Sequence, residues 1–312
     1  MNFQIDFMRR RYLAVAFSFA LLLVSILAIA FAGLNFGLDF TGGTLVQARL
    51  ERAVPVQSIR EQLIANGFPE VVVQNIGSER DIIIRVPTHS AATETNLADS
   101  LQEFLYQELP GIEVLRAEFV GPVVGEDLRE AGGLAILGAL GITAVYIMWR
   151  FTGKFAFAAA IALLHDVIIT VGMFAIFRWT FNLTALAALL TVIGYSLNDT
   201  IVICDRIREN LRKMRKSMLP EVINVSLNET FERTLVMAGT TLMVLVSMLL
   251  FGGEQLNAFA AALTIGVLVG TWSSIYVAAP YLIFARLTRA ELVPEDEQSS
   301  GTGGDELLSR KE

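Results

Sequence analysis

Three places in the sequence set ionisable or strongly polar side chains inside runs that otherwise belong in hydrocarbon. The stretch GYSLNDTIVICDRIREN, starting at Gly194, carries Asn198 and Asp199, then Thr200, ahead of the apolar run Ile201–Cys204. His165 and Asp166 interrupt IALLHDVIIT, and Arg233 opens a long apolar run that also holds Thr234, Thr240 and Thr241. A charge at the centre of a spanning helix costs about 2.5–3.5 kcal/mol on insertion scales, so such residues face protein or water and mark function by default.

The three places do not carry equal weight. Arg233 lies close to a helix end, where a long side chain snorkels to the interface and serves only as an anchor. His165 and Asp166 are adjacent and can satisfy each other. Asp205, Arg206 and Glu209 read as a solvated helix end. Asp199 is too short to snorkel and has four apolar residues between it and the basic end of its run. Low dielectric disfavours a charged carboxyl and a nearby guanidinium favours it, so a carboxyl held between the two can load and release a proton. Each charge crossing 100 mV supplies about 2.3 kcal/mol, enough to drive a conformational cycle.

Proteolysis is the competing chemistry. Asp166 with Asp199 could form a proton-sharing dyad, but Asp199 sits in SLNDT and not in GxGD. Ser196 with His165 suggests an intramembrane serine protease, but GYSLN lacks a glycine after the serine. The expectation is a transporter component and no enzyme.

The elements that must position these residues follow from composition. Of 312 residues, 54% are hydrophobic and 18% charged, with a mean hydropathy of +0.56. A soluble domain sits nearer about 45–50% apolar and about 25% charged. The single cysteine, Cys204, excludes an internal disulfide and a cysteine-based metal site. No GxxxxGK[ST] loop, dinucleotide fingerprint or His/Cys cluster occurs, so no cofactor, metal or nucleic acid is expected.

A spanning helix needs about 20 largely apolar residues. Six runs qualify: Tyr12–Gly33, Ala131–Trp149, Phe155–Phe177, Asn182–Cys204, Arg233–Phe251 and Leu256–Phe284. The first is too long for the apolar core of a signal peptide and is read as an uncleaved span. Lys and Arg cluster at Arg9–Arg11, at Arg150 and Lys154, from Arg206 to Lys216, and at Arg286 and Arg289. The opposite loops carry only Arg178. Both termini are therefore expected to be cytoplasmic. The division is 1–34 for the N-terminus and first span, 35–130 for an outer domain, 131–204 for spans two to four, 205–232 for a basic amphipathic loop, 233–287 for spans five and six, and 288–312 for a disordered tail. The basic loop suits a surface of anionic lipid headgroups.

Within 35–130, TLVQARL, VVVQNI, DIIIRV and GIEVLRAEFV read as strands. VQSIREQLIANG and ATETNLADSLQEFLYQEL have helical spacing. The order βαββαβ predicts a ferredoxin-like α+β domain between spans one and two.

GLDFTGGT (Gly37–Thr44), VGPVVGEDLREAG (Val120–Gly132), LHDVIIT (Leu164–Thr170), the long motif from Gly194, SLNETFERTLVMAGTTL and FGGEQLNAF occur in an order that resembles the SecF family of bacterial protein-export membrane proteins. The likeness covers residues 1–287. It implies a complex with SecD, with a pseudo-symmetric twelve-span core of the resistance-nodulation-division type, that associates with the SecYEG channel and commonly with YajC. That complex uses the proton-motive force to draw preproteins across after the SecA ATPase has pushed them. It also implies a bacterial inner-membrane location, with the outer domain periplasmic. The family's proton site would fall on Asp199 and Arg233, with Asn198, Thr200, His165 and Asp166 as polar neighbours. Gly42 and Gly43 allow a tight backbone path and are expected to act as a hinge for the outer domain. The alternative is half of a proton-driven exporter of lipid or small molecules.

Overall fold

The helices outrun the apolar runs that betray them. Among the described residues six helices are long and apolar enough to cross a membrane: Met8–Ala32, Pro122–Arg150, Gly153–Phe177, Leu183–Lys213, Leu219–Phe251 and Leu256–Phe284, numbered spans one to six. The structure, a computed structural model, describes residues 5–68, 71–76, 78–86, 101, 103–109, 111–151 and 153–292. Span four continues nine residues past Cys204 because nothing in DRIRENLRK stops a helix. Glu209 pairs there with both Arg206 at 2.6 Å and Lys213 at 2.5 Å, one turn to either side. Span five likewise starts well before Arg233, at Leu219, with Pro220 in its first turn, where a missing N–H costs nothing. The expected tail lies mostly outside the described residues.

The chain divides into two compact units, one of residues 1–34, 138–179 and 187–312 and the other of residues 35–137 and 180–186. In the first, spans three, four and six form the centre. About half of each one's most apolar window is buried, against under a fifth in spans one, two and five. The outer spans expose Phe31, Ile142 and Met243, as a lipid- or partner-facing surface does.

Small residues set the helix spacing, as expected where lipid removes the hydrophobic drive for association. A Cβ at Gly172 of span three would lie 2.3 Å from Ser25 Cβ of span one. One at Gly266 of span six would lie 2.1 Å from Val192 Cγ2 of span four, and one at Gly270 would lie 3.0 Å from Ser196 Cβ. Span six is not one uniform helix. Its α-helical part ends at Ser273, a π turn runs from Ser274 to Ala278, and α-helix resumes over Ala279–Phe284 with Pro280 in its first turn. At one end, Phe155, Ile203, Ile207, Val222, Ile223 and Leu282 bury one another.

Among the described residues the second unit has six strands: β1 (Asn35–Phe36), β2 (Gly43–Arg49), β3 (Val72–Ile76), β4 (Ser78–Val86), β5 (Glu113–Val120) and β6 (Thr180–Phe181). Its main sheet has the order β3-β4-β2-β5 and is antiparallel throughout. The connection from β2 through the helix Val56–Ala65 to β3 thus joins two strands with β4 between them. That is a split βαβ arrangement, compatible with the ferredoxin-like expectation. The helix buries Ile59 and Leu63 against Val46, Ala48, Ile82 and Ile84. The second expected helix is helical at 101 and 103–108, where Leu101 and Leu105 enter the same core. Its start lies outside the described residues.

β1 and β6 form a two-residue parallel bridge. Beside it Asp39 Oδ2 accepts from the Leu183 N–H at 2.9 Å, and Asn182 Oδ1 accepts from Ala185 N–H at 2.9 Å. These two side chains cap span four's first turn. Gly42 and Gly43 have φ of +68° and +123°, and a Cβ on Gly42 would lie 2.8 Å from Pro122 Cα. Gly42→Ala therefore meets both left-handed strain and a backbone contact. It should destabilise this unit by about 1–3 kcal/mol, read as faster cleavage of the outer unit in limited proteolysis of the full chain.

Candidate functional site

The buried polar centre of the membrane unit is assembled from the turns where spans three, four and six touch. Asp166 of span three is 0% exposed. Its Oδ1 lies 3.0 Å from His165 Nδ1. Its Oδ2 accepts from Ser273 Oγ of span six at 2.8 Å and from Ser196 Oγ of span four. A buried carboxyl needs such partners, since an unpaired one costs several kcal/mol. One turn along, Thr200 Oγ1 and Ser274 Oγ share a hydrogen bond of 2.9 Å, and Ser274 Oγ also donates to the Gly270 carbonyl at 2.9 Å. The contact pairs of spans four and six are thus Val192 with Gly266, Ser196 with Gly270, and Thr200 with Ser274, spaced four residues apart on both helices.

Asp199 shares that stretch of span four but faces elsewhere. It is 3% exposed. Thr234 Oγ1 of span five lies 3.5 Å from its Oδ1, at the long limit of a hydrogen bond. Its Oδ2 has no hydrogen-bond partner among the described residues. The two buried carboxyls therefore differ in kind. Asp166 is surrounded by donors, whereas Asp199 is desolvated and half-satisfied.

The expected site residues separate accordingly. His165, Asp166, Asp199 and Thr200 are all buried in the membrane unit, with Asp166 and Thr200 joined through Ser196. Asn198 and Arg233 are exposed on the surface of this chain. Among the described residues no ion pair joins Arg233 to Asp199; Arg233 acts on it only as a nearby charge, and Thr234 is the residue that reaches the carboxyl. Gly42 and Gly43 belong to the other unit. Ser273 and Ser274 were not singled out from sequence. Their signal was the small-residue series Gly266, Gly270, Ser274 at intervals of four, the pattern by which membrane helices approach closely. Among the described residues no group of three or more His, Cys, Asp and Glu could hold a metal, and Cys204 is buried.

Six helices of spanning length, four of which carry or touch the buried carboxyl groups, with a separate α+β unit inserted after the first span, define a multi-pass membrane protein of the transport class. The chain belongs to the SecD/SecF family of protein export membrane proteins: the family's C-terminal region matches residues 101–288 and its GG motif matches residues 27–54. It is 43% identical over 290 residues to the protein translocase subunit SecF of Pseudomonas aeruginosa, covering 93% of this chain and 94% of that one. The SecF of Escherichia coli O157:H7 is 42% identical over 305 residues, covering 97% and 94%. Among solved structures, SecDF of Thermus thermophilus, described as a translocon-associated membrane protein, matches with a TM-score of 0.83 and 35% identity over 91% of this chain. SecDF in a super-membrane-facing form matches with a TM-score of 0.67 and 32% identity over 97% of this chain. The chain spans about two fifths of the length of those SecDF chains, 39% and 40%.

The seam between spans four and six is directly testable. Gly266→Leu should overpack it and lower the thermal stability of the purified chain by about 1–3 kcal/mol. Val192→Ala in the same chain should recover most of that loss, because Val192 is the side chain in the way.

Proposed function

We propose that this chain is the SecF-like subunit of the Sec protein-export machinery and that, with SecD, it uses the proton-motive force to promote late, SecA-independent steps of preprotein translocation through SecYEG. The family membership and the near full-length likeness to SecF proteins support the pairing with SecD. The observation that carries the proton role is Asp199: a carboxyl buried in a span, one oxygen near Thr234 and the other without a partner among the described residues. A group so poorly satisfied gains from a proton, and from any rearrangement that brings it water or a cation. Arg233, exposed on this chain one residue before Thr234, is placed to supply that cation from span five once SecD completes the core.

The surrounding assignments follow from the same reading. The chain is a transport component of the bacterial inner membrane, with both termini cytoplasmic and the domain 35–130 periplasmic. SecYEG and YajC are its neighbours, translocating preproteins its clients, and SecA an indirect partner. The basic stretch from Arg206 to Lys216 rests against anionic headgroups. The bend at Gly42 and Gly43 serves as the hinge on which the outer domain moves.

The test uses inverted inner-membrane vesicles carrying SecYEG, SecD and this chain, unaltered or as Asp199→Asn. A preprotein is stalled part-way, SecA and ATP are removed, and completion is followed with and without a proton gradient. The gradient should speed completion several-fold with Asp199 present and not at all with Asp199→Asn. Equal responses from the two would place the proton path elsewhere.

A further inference from the structure

The buried carboxyl that the proton reading does not use is the better satisfied one, and one of its partners lies on the helix that carries Asp199. Asp166 Oδ2 accepts from Ser196, three residues before Asp199, and from Ser273, the last residue before the π turn of span six. The π turn's first residue, Ser274, then bonds Thr200, the residue after Asp199. Asp199 is thus bracketed on its own helix by two hydroxyls, both fixed from the opposite side. Gly266 and Gly270 bring span six close against span four at this seam, since a methyl group at either would meet Val192 or Ser196.

We propose that Asp166 is a positioning residue for Asp199: through Ser196 directly, and through Ser273, the π turn and Thr200, it fixes the rotation of span four that presents Asp199 to Thr234 and span five. The inference rests on the reading of Asp199 as the proton carrier. It accounts for a carboxyl in the centre of span three that touches no proton path, and for two successive serines at a break in helical form. Rotation is the sensitive coordinate. One residue of slip turns a helix by about 100°, which would carry Asp199 away from span five and bring exposed Asn198 inward. The groups that bear on Asp199 are Thr234 of span five, at 3.5 Å, and, as groups near enough to interact electrostatically, Arg233 of span five and Tyr195 on its own helix. Those facing Asp166 are His165, Ser196 and Ser273.

Asp199 itself can report on its setting. In vesicles carrying the complete complex, dicyclohexylcarbodiimide modifies protonated carboxyl groups in apolar surroundings, and mass spectrometry of the full chain gives the extent at Asp199 as a function of pH. Folded chain is scored separately by resistance to limited proteolysis. The expected result is a shift of the Asp199 labelling midpoint by about half a pH unit or more in Asp166→Asn, with a smaller shift of the same sign in Ser196→Ala. Asp166→Glu, which keeps the acceptor, should return the midpoint towards the wild-type value. The proposal is overturned if the midpoint stays put in folded Asp166→Asn and Ser196→Ala, or if labelling falls only in proportion to lost folded chain. Should Asp166→Asn fail to fold, Ser196→Ala, which removes one donor and no charge, decides alone. A shifted midpoint together with a full gradient response in Asp199→Asn would uphold the positioning and refute the export coupling instead.

Discussion

A carboxyl group taken out of water must find donors, and in hydrocarbon those donors can come only from other helices. Asp166 meets that demand with a neighbouring imidazole and two serine hydroxyls contributed by spans four and six. Much of the membrane unit follows from it. For hydroxyls as short as those of Ser196 and Ser273 to reach one carboxylate, three backbones must come close. That closeness requires glycine at 266 and 270 and a small residue at 274. Hydrophobic side chains fill the rest of the unit, and the polar contacts add directional constraints that apolar packing lacks.

Beside this satisfied node stands a deliberately poor one. Asp199 is also buried, yet it holds one long hydrogen bond, and its other oxygen has no partner among the described residues. The proposed roles follow that contrast: Asp166 would anchor span four, and Asp199 would respond to protonation or movement. The outer unit obeys different rules. Its sheet and helix are held by an aliphatic core, and within it Asp39 and Asn182 accept from the backbone N–H groups of Leu183 and Ala185.

How much of this was legible in the sequence depends on the kind of signal. The six spans announce themselves by run length, and β2, β4 and β5 by alternation of inward and outward residues, so both were readable. The helix ends were not: apolar runs mark where lipid begins, not where hydrogen bonding stops, and DRIRENLRK is polar and helical at once. Asp199 stood out because a short side chain in an apolar run has no bland explanation. Its neighbour did not, because whether Arg233 or Thr234 faces it depends on the rotation of span five, and successive residues on a helix differ by about 100°. Ser273 and Ser274 were hidden in plain view. Hydropathy treats glycine and serine as filler, whereas their spacing in GVLVGTWSS was the message.

The π turn in span six is an α-helix with one residue to spare, and that surplus is a change of phase. Counted at about 100° per residue, the eight steps from Ser274 to Leu282 would set the two side chains about 80° apart on a regular helix. With one residue absorbed by the turn, they stand within about 20° of each other. Ser274 can then meet Thr200 while Leu282, fully buried, enters the apolar cluster of the same unit. Span six thereby presents a polar contact and a hydrophobic one along a single line, and deletion of one residue between 275 and 278 would turn the stretch into regular α-helix with its two ends still in phase.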